Sequence, residues 1–279
     1  MQTRLQMPQT AARILTIALG LGLVLSLGGC SSITNLFKEK DAYDLYTAAT
    51  QNLEKADGYS MRMTINSTTT SEETTLSSTS SATISAKINQ PYTAAMEMSI
   101  TADKHMDENN ITTTSYYKNG TMYSSTEAIK AKLKTKETIS QLKNQFGTAS
   151  FSRKDVIKQK STKTAEGTAI DFTVKAAAFK SYALEQGRSS DPELPSGTPH
   201  DIKDVTVQAV IDKDGKLVSM KMNPAFSLTY SDSLINTTVG EKSEITINDI
   251  RFGHQNITAP DDLASYQDYN HLKTTLPQF

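Results

Sequence analysis

The chain begins with a long apolar run and continues with alternating apolar and polar positions. Between Ile14 and Leu27, a stretch of 14 residues, only four small or polar residues interrupt the run. A helix that spans the hydrocarbon core of a bilayer takes about 20 residues. Arg4 and Arg13 precede the run, and no acidic residue occurs before Glu39. This pattern predicts a secretory signal peptide over residues 1–29.

After the signal peptide, the first periodic segment is helical. Apolar side chains recur at helical spacing from Ala42 through Leu53 to Ala56, which places them on one face of an amphipathic helix. Asp41 is a favourable N-cap, and Gly58 is a favourable stop. The sequence therefore predicts a helix over residues 41–56, joined to residue 30 by a polar tether over residues 30–40.

From Tyr59 to Ser124 the apolar period changes to two, which is typical of half-buried strands. The alternating sets are Met61, Met63 and Ile65; Ile84, Ala86 and Ile88; and Met96, Met98 and Ile100. Asn119-Gly120 predicts a hairpin turn. The Ser/Thr-rich stretch 67–81 is interpreted as strand ends around a turn at residues 71–73, because alternation resumes on both sides.

The second half of the chain mixes helices and strands. Ser124 and Glu127 resemble a capping box before an apolar stripe, so we expect a helix over residues 126–146. Strands are predicted on both sides of Glu166-Gly167, followed by a helix over residues 176–186 and a proline-containing loop over residues 188–201. Three further strands are predicted over residues 205–211, 217–230 and 244–252.

This element order predicts an α+β fold. Long antiparallel strands with few intervening helices favour a curved antiparallel sheet, a half-barrel, packed around two to three helices. We expect residues 41–279 to form a single domain of this kind.

The junction after the apolar run carries the most specific motif. Leu27-Gly28-Gly29-Cys30 resembles the lipobox of bacterial lipoproteins. In that class the cysteine thiol is acylated and becomes the first residue of the processed protein. The alternative is an ordinary secretory signal with a coincidental cysteine. Because Cys30 is the only cysteine in the chain, we predict it as the lipidation site.

Pairs of methionines are the main candidate for ligand chemistry. The pairs are Met61 and Met63, Met96 and Met98, and Met220 and Met222. Side chains two residues apart on a strand share one face, and methionine adapts to varied apolar shapes. These six residues are predicted to line a hydrophobic ligand groove. The alternative is that they fill the core between the sheet and the helices.

Other chemistry finds little support in the sequence. The four histidines are scattered, so we expect no metal site, and Asp212-Lys213-Asp214-Gly215 is interpreted as a hairpin turn. We find no phosphate loop and no catalytic motif, so we expect no cofactor and no enzymatic activity. A formal net charge of −1 gives no indication of nucleic-acid binding.

The motifs together resemble a known class of lipoprotein. Three segments carry the likeness: Lys55-Ala56-Asp57-Gly58-Tyr59-Ser60, Tyr116-Tyr117-Lys118-Asn119-Gly120, and Asp212 to Leu217 followed by Met220. Their order between residues 41 and 252 resembles Gram-positive lipoproteins with the LolA/LppX-like fold. The resemblance implies a half-barrel that in some members shelters lipid acyl chains, with no shared catalytic residues. The Ser/Thr-rich early strands and the 188–201 loop depart from that pattern.

Two functions follow as hypotheses. The first is an extracytoplasmic protein that is anchored to the cell membrane through a lipid on Cys30 and binds or carries a lipid or other hydrophobic ligand. The alternative is an envelope sensing or protein-interaction module that binds a protein partner and no small molecule.

Overall fold

The computed structural model describes most of the chain after residue 40. The described ranges are 41–72, 74–87, 93–102, 111–126, 130–134, 151–187, 196–231 and 236–268. The predicted signal peptide, Cys30 and the tether before Asp41 lie outside the described residues.

The first element is the predicted helix, α1, over Ala42–Glu54. Its N-cap is Asp41, whose side chain accepts a hydrogen bond from the backbone N–H of Asp44 at 3.0 Å. Such a bond satisfies one of the backbone donors that a helix start leaves unpaired. A second helix, α2, covers Lys180–Gly187 and follows a 3₁₀ turn over Ala176–Phe179. Both helices confirm the sequence prediction.

The other regular elements of the described residues are strands and short 3₁₀ turns. The strands are β1 Gly58–Thr70, β2 Thr75–Lys87, β3 Thr93–Ala102, β4 Ile111–Lys118, β5 Thr121–Ser125, β6 Lys130–Lys134, β7 Val156–Lys163, β8 Gly167–Val174, β9 Thr198–His200, β10 Val205–Asp212, β11 Leu217–Met222, β12 Ala225–Ser231, β13 Asn236–Phe252 and β14 Gln267–Asp268.

These strands form one open 14-stranded sheet. Its order is β14-β6-β5-β4-β3-β2-β1-β13-β11-β10-β8-β7, with β12 also paired to β13 and β9 to β12. The pairs are antiparallel except for the short β14–β6 pair, which is parallel. The predicted α+β class, an antiparallel sheet with helices packed on it, is confirmed.

The main core lies between α1 and the sheet. Tyr46, Ala49 and Leu53 of the helix are at most 1 % exposed, and they share one apolar cluster with Phe172 of β8 and Ile247 of β13. A second, smaller cluster forms around Ala183, Phe226 and Leu228. The helical apolar stripe therefore buries itself on the sheet as its spacing predicts.

The helix predicted over residues 126–146 is wrong where the structure describes it. Residues 130–134 form β6, and Ser124, the predicted capping residue, lies in β5 opposite Ala131. In the sequence Lys130-Ala131-Lys132-Leu133-Lys134, charged and apolar residues alternate with the period of a strand. Pairing with β5 and β14 satisfies the backbone of this segment. Residues 127–129 and 135–146 lie outside the described residues.

The predicted turns and most strands are confirmed, with changes of extent. Asn119 and Gly120 have φ angles of 50° and 76°, as a tight hairpin turn requires. The predicted strand 217–230 divides into β11 and β12 at Asn223-Pro224, because proline has no N–H to donate to a ladder. The last strand begins at Asn236 and not at residue 244. The 188–201 loop ends in β9, and residues 188–195 lie outside the described residues.

Within the described residues, no helix has the length and apolar character needed to cross a membrane.

Replacing Leu53 tests the packing of α1. Leu53 is 1 % exposed, whereas Leu184 of α2 is 47 % exposed. We expect Leu53→Ala to lower the free energy of unfolding by about 2–5 kcal/mol, since it leaves a cavity under α1. Leu184→Ala removes the same atoms from the surface, and we expect it to change the free energy of unfolding by less than about 0.5 kcal/mol. Urea denaturation measures both; equal effects would contradict this packing.

Candidate hydrophobic binding face

Cross-strand register brings the predicted methionines to one side of the sheet. Residues directly opposite each other in neighbouring strands point to the same face. Met220 lies opposite Ile247, Ile247 opposite Met63, Met63 opposite Ala82, and Ala82 opposite Met98. This row crosses β11, β13, β1, β2 and β3 without a break. The face that carries it is called the methionine face below.

Two flanking rows extend the methionine face. On one side Met222 lies opposite Ile245, which lies opposite Ile65. On the other side Met61 lies opposite Ile84, which lies opposite Met96. All six predicted methionines therefore occupy register positions on the same face of one sheet. For Met96 and Met98 only these backbone positions are described.

Helix α1 covers the β7–β8–β10–β11 part of the methionine face. The Tyr46 ring lies 5.3 Å from the Phe172 ring, measured between centroids, in an edge-on arrangement. The Tyr46 hydroxyl donates to the sulfur of Met220 at 3.4 Å. At the far end of the helix, the Asn52 side-chain amide donates to the Gly215 carbonyl at 2.9 Å. The helix thus lies along β7, β8, β10 and β11.

The four methionines with described side chains are buried. Met61, Met63, Met220 and Met222 are 2 %, 1 %, 2 % and 5 % exposed and belong to the main core. Met220 contacts α1 directly, so it acts as core in this structure. The groove predicted from all six residues stays a prediction.

Beyond α1, the methionine face carries hydroxyl groups that sequence reasoning missed. By register, Ser80 of β2 and both Thr113 and Ser115 of β4 share this face with Met96 and Met98. All three are buried. Ser115 is paired through its hydroxyl with that of Ser124 at 3.1 Å. Burial alternates along β4, since Thr112 and Thr114 are exposed. The sequence does not reveal this alternation, because every residue from 112 to 115 is Ser or Thr.

Thr113 stands out among these hydroxyls. It lies opposite Met98, is 1 % exposed, and its Oγ1 has no hydrogen-bond partner within the part of the chain that the structure describes. A buried hydroxyl without a partner costs about 1–3 kcal/mol. The end of the methionine row therefore offers one polar atom that a bound molecule could satisfy.

The side opposite the methionine face carries a concavity of about 370 Å³ with mixed polar and apolar walls. Its walls include Lys160, Asp171, Gln208 and Lys221, which lie side by side across β7, β8, β10 and β11. Gln208 donates to Asp171 at 3.0 Å, and Lys221 forms an ion pair with Glu244 at 2.7 Å. Gln208 and Lys221 are therefore paired with neighbouring carboxylates, as is common on the solvated side of an antiparallel sheet.

Metal binding finds no support in the described residues, where no three His, Cys, Asp or Glu side chains are grouped to hold an ion. The Asp212 carboxylate accepts hydrogen bonds from the backbone N–H groups of Asp214 and Lys216, at 2.9 and 2.8 Å. The carboxylate therefore closes the β10–β11 hairpin turn that the sequence predicts. Cys30, His105 and His271 lie outside the described residues.

Comparison with known proteins gives weak similarities. No family model and no curated protein matches the chain. LprF from Mycobacterium bovis superposes with a TM-score of 0.39 at 12% identity, covering 79% of this chain and 96% of LprF. Lipovitellin superposes with a TM-score of 0.30 at 6% identity, covering 72% of this chain and 26% of lipovitellin. A lipoprotein-sorting protein domain from Vibrio parahaemolyticus superposes with a TM-score of 0.24 at 11% identity, covering 74% of this chain and 90% of that domain. These similarities identify neither a ligand nor a function for this chain.

Burial of the Tyr46 hydroxyl has a consequence for stability at high pH. Burial, with a smaller contribution from Tyr43, raises the pKa of Tyr46 well above its ordinary value of 10. Burial also raises the pKa of Tyr182 to about 12. A group whose pKa is raised by folding stabilises the fold below its unfolded pKa and loses that effect as the pH rises. Stability should therefore fall as the pH rises above 10.

Replacing Tyr46 by Phe tests this effect. The variant keeps the ring and removes the group that ionises, so we expect a shallower loss of unfolding free energy between pH 10 and pH 12. At neutral pH the variant should lower the free energy of unfolding by less than about 1 kcal/mol, because it loses the hydrogen bond to Met220. Urea unfolding at a series of pH values measures both effects. An unchanged slope at high pH would contradict a buried neutral hydroxyl at residue 46.

Proposed function

We propose that this protein is an extracytoplasmic lipoprotein, anchored to the cell membrane through Cys30, that binds or carries a lipid or another hydrophobic ligand and is not an enzyme. The anchor and the export rest on the signal pattern and on Leu27-Gly28-Gly29-Cys30. The ligand class rests on the chemistry of the methionine face.

One observation carries the proposal. The apolar row from Met220 to Met98 crosses five neighbouring strands, whereas α1 lies along β7, β8, β10 and β11. The row therefore extends past the strands on which the helix lies. An apolar row of this length offers dispersion contact to an acyl chain, and methionine adjusts to chains of different shape.

The hydroxyls on the same face suit a lipid better than a pure hydrocarbon. Thr113 lies at the end of the row, buried and without a described partner. Its O–H can donate to the carbonyl oxygen of an ester or carboxyl group. An acyl chain that lies along the row with its carbonyl at Thr113 would contact the apolar side chains and accept a hydrogen bond from the hydroxyl.

Lipid that co-purifies with the protein provides the direct test. We expect native mass spectrometry of the processed chain carrying Cys30→Ser to show a bound lipid, because this variant cannot carry a covalent one. A chain that purifies without lipid and binds no fluorescent fatty acid would contradict the proposal.

Two methionines at different places in the row separate binding from folding. We expect Met98→Ala to weaken binding of a fluorescent fatty acid about ten-fold, since about 1.4 kcal/mol of apolar contact corresponds to that factor. Met220→Ala leaves a cavity beneath Tyr46, and it should lower the free energy of unfolding by about 2–5 kcal/mol.

Fluorescence titration and urea denaturation on both variants give the comparison. Equal loss of stability with unchanged affinity in the two variants would show that both residues serve only as core.

Replacing Thr113 by Val tests the polar end of the row. The two side chains have nearly the same shape, and the change removes a buried hydroxyl that has no described partner. If the hydroxyl meets a ligand, affinity for the fatty acid should fall about five- to ten-fold, while the ligand-free protein keeps or gains stability. Ser115→Ala serves as the control, because that hydroxyl is already paired with Ser124. Unchanged affinity in Thr113→Val would remove Thr113 from the site.

The sensing or interaction module remains the alternative. It predicts a purified protein without lipid and a specific protein partner from the cell envelope. The buried, apolar methionine face favours the lipid-binding function over it.

A further inference from the structure

Asp41, the first residue that the structure describes, is fixed beside one edge of the sheet. The Gln159 amide of β7 donates to the Asp41 carboxylate at 3.0 Å and accepts from the backbone N–H of Tyr43 at 3.3 Å. Arg153 donates to Asp44 at 2.7 Å and also forms an ion pair with Asp41. Residues 1–40 therefore join the body at β7, which is the last strand at this end of the sheet.

Strand β7 carries three lysines and no acidic residue. Lys158, Lys160 and Lys163 are all exposed, and none of them forms an ion pair within the described residues. By register Lys160 lies opposite Asp171 and Lys163 opposite Thr168, so these lysines project on opposite sides of the strand. The surface that presents all of them together is the edge itself.

An exposed apolar side chain lies in the same strand. Ile157 is 44 % exposed and lies at the irregularity where the β7–β8 register shifts. Apolar side chains beside lysines are typical of surfaces that rest in the interfacial region of a membrane. Lysine stems can lie along apolar surface while the ammonium groups reach the headgroups.

We propose that the β7 edge docks onto the anionic lipid headgroups of the membrane that holds the anchor. This inference rests on the proposed lipid on Cys30. If residues 31–40 form the flexible tether that the sequence predicts, they span about 15–20 Å, and β7, with eight residues, is about 25 Å long. The whole edge is then within reach of the bilayer surface. Lysine near an anionic surface is attracted to it within about a Debye length.

Lysines on edge strands also prevent association between sheets. The β6 strand, near the other end of the sheet, carries Lys130, Lys132 and Lys134 and has the same protective chemistry. Lys130 is already paired with Asp262. Of these two strands, β7 combines lysines that form no ion pair among the described residues with the attachment point of the tether. Comparing the two strands therefore distinguishes membrane docking from protection against association.

The test uses the processed chain with Cys30→Ser and vesicles of phosphatidylcholine, with or without about one third phosphatidylglycerol. We expect binding to the anionic vesicles alone, weakening as salt is added. The triple variant K158Q/K160Q/K163Q should lose about a hundred-fold in affinity, which is about five-fold for each lysine. The matched control K132Q/K134Q/K213Q removes the same charge elsewhere and should lose less than about three-fold.

Other results would overturn the proposal. Equal losses in the two triple variants would indicate unspecific attraction, and no binding of the parent chain to anionic vesicles would exclude docking. If the triple variant aggregates, Lys160→Gln alone should still lose about five-fold, and an unchanged affinity would count against the edge. Fatty-acid binding without vesicles is measured separately, so failure of the ligand proposal leaves this result interpretable.

Discussion

The packing of α1 against the sheet is the contact on which the rest of the structure depends. The Tyr46 and Phe172 rings meet edge-on, and Phe151 stacks on Tyr46 with centroids 6.0 Å apart. The chain has one cysteine and therefore no internal disulfide to restrain the unfolded state. Apolar burial under this helix has to supply that stability, and it draws Met63, Met220 and Ile247 into a single core.

The same packing divides the methionine face into a part under the helix and a part beyond it. Under the helix, thioethers fill space between aromatic rings and a tyrosine hydroxyl. Beyond the helix, the face continues with Met96 and Met98 of β3 and with the buried hydroxyls of β4 that lie opposite them. The core interpretation therefore holds for the four methionines with described side chains, whereas a ligand surface at Met96 and Met98 is part of the proposed function.

Much of the fold could be predicted from the sequence, because its signals are local. The stripe of α1, the cap at Asp41, the turn at Asn119-Gly120 and the alternation in β10 each follow from spacing within a few residues. The β6 strand was missed because Ala131 and Leu133 fit a helical stripe when Ile129 and Leu142 are included. Thr113 was missed because residues 112 to 115 are all Ser or Thr, so no local pattern of apolar and polar positions marks one threonine as buried.

The place of β13 in the sheet has a consequence for how the protein reaches its folded state. Strand β1 pairs with β13 along most of its length, and Ser67 is hydrogen-bonded to Ser243 across 176 residues of sequence. Contacts between such distant segments pay a large loop-closure entropy and form slowly. The central ladder cannot form until nearly the whole chain has emerged. A chain exported by its N-terminus would complete this sheet only on the far side of the membrane, after β13 has crossed.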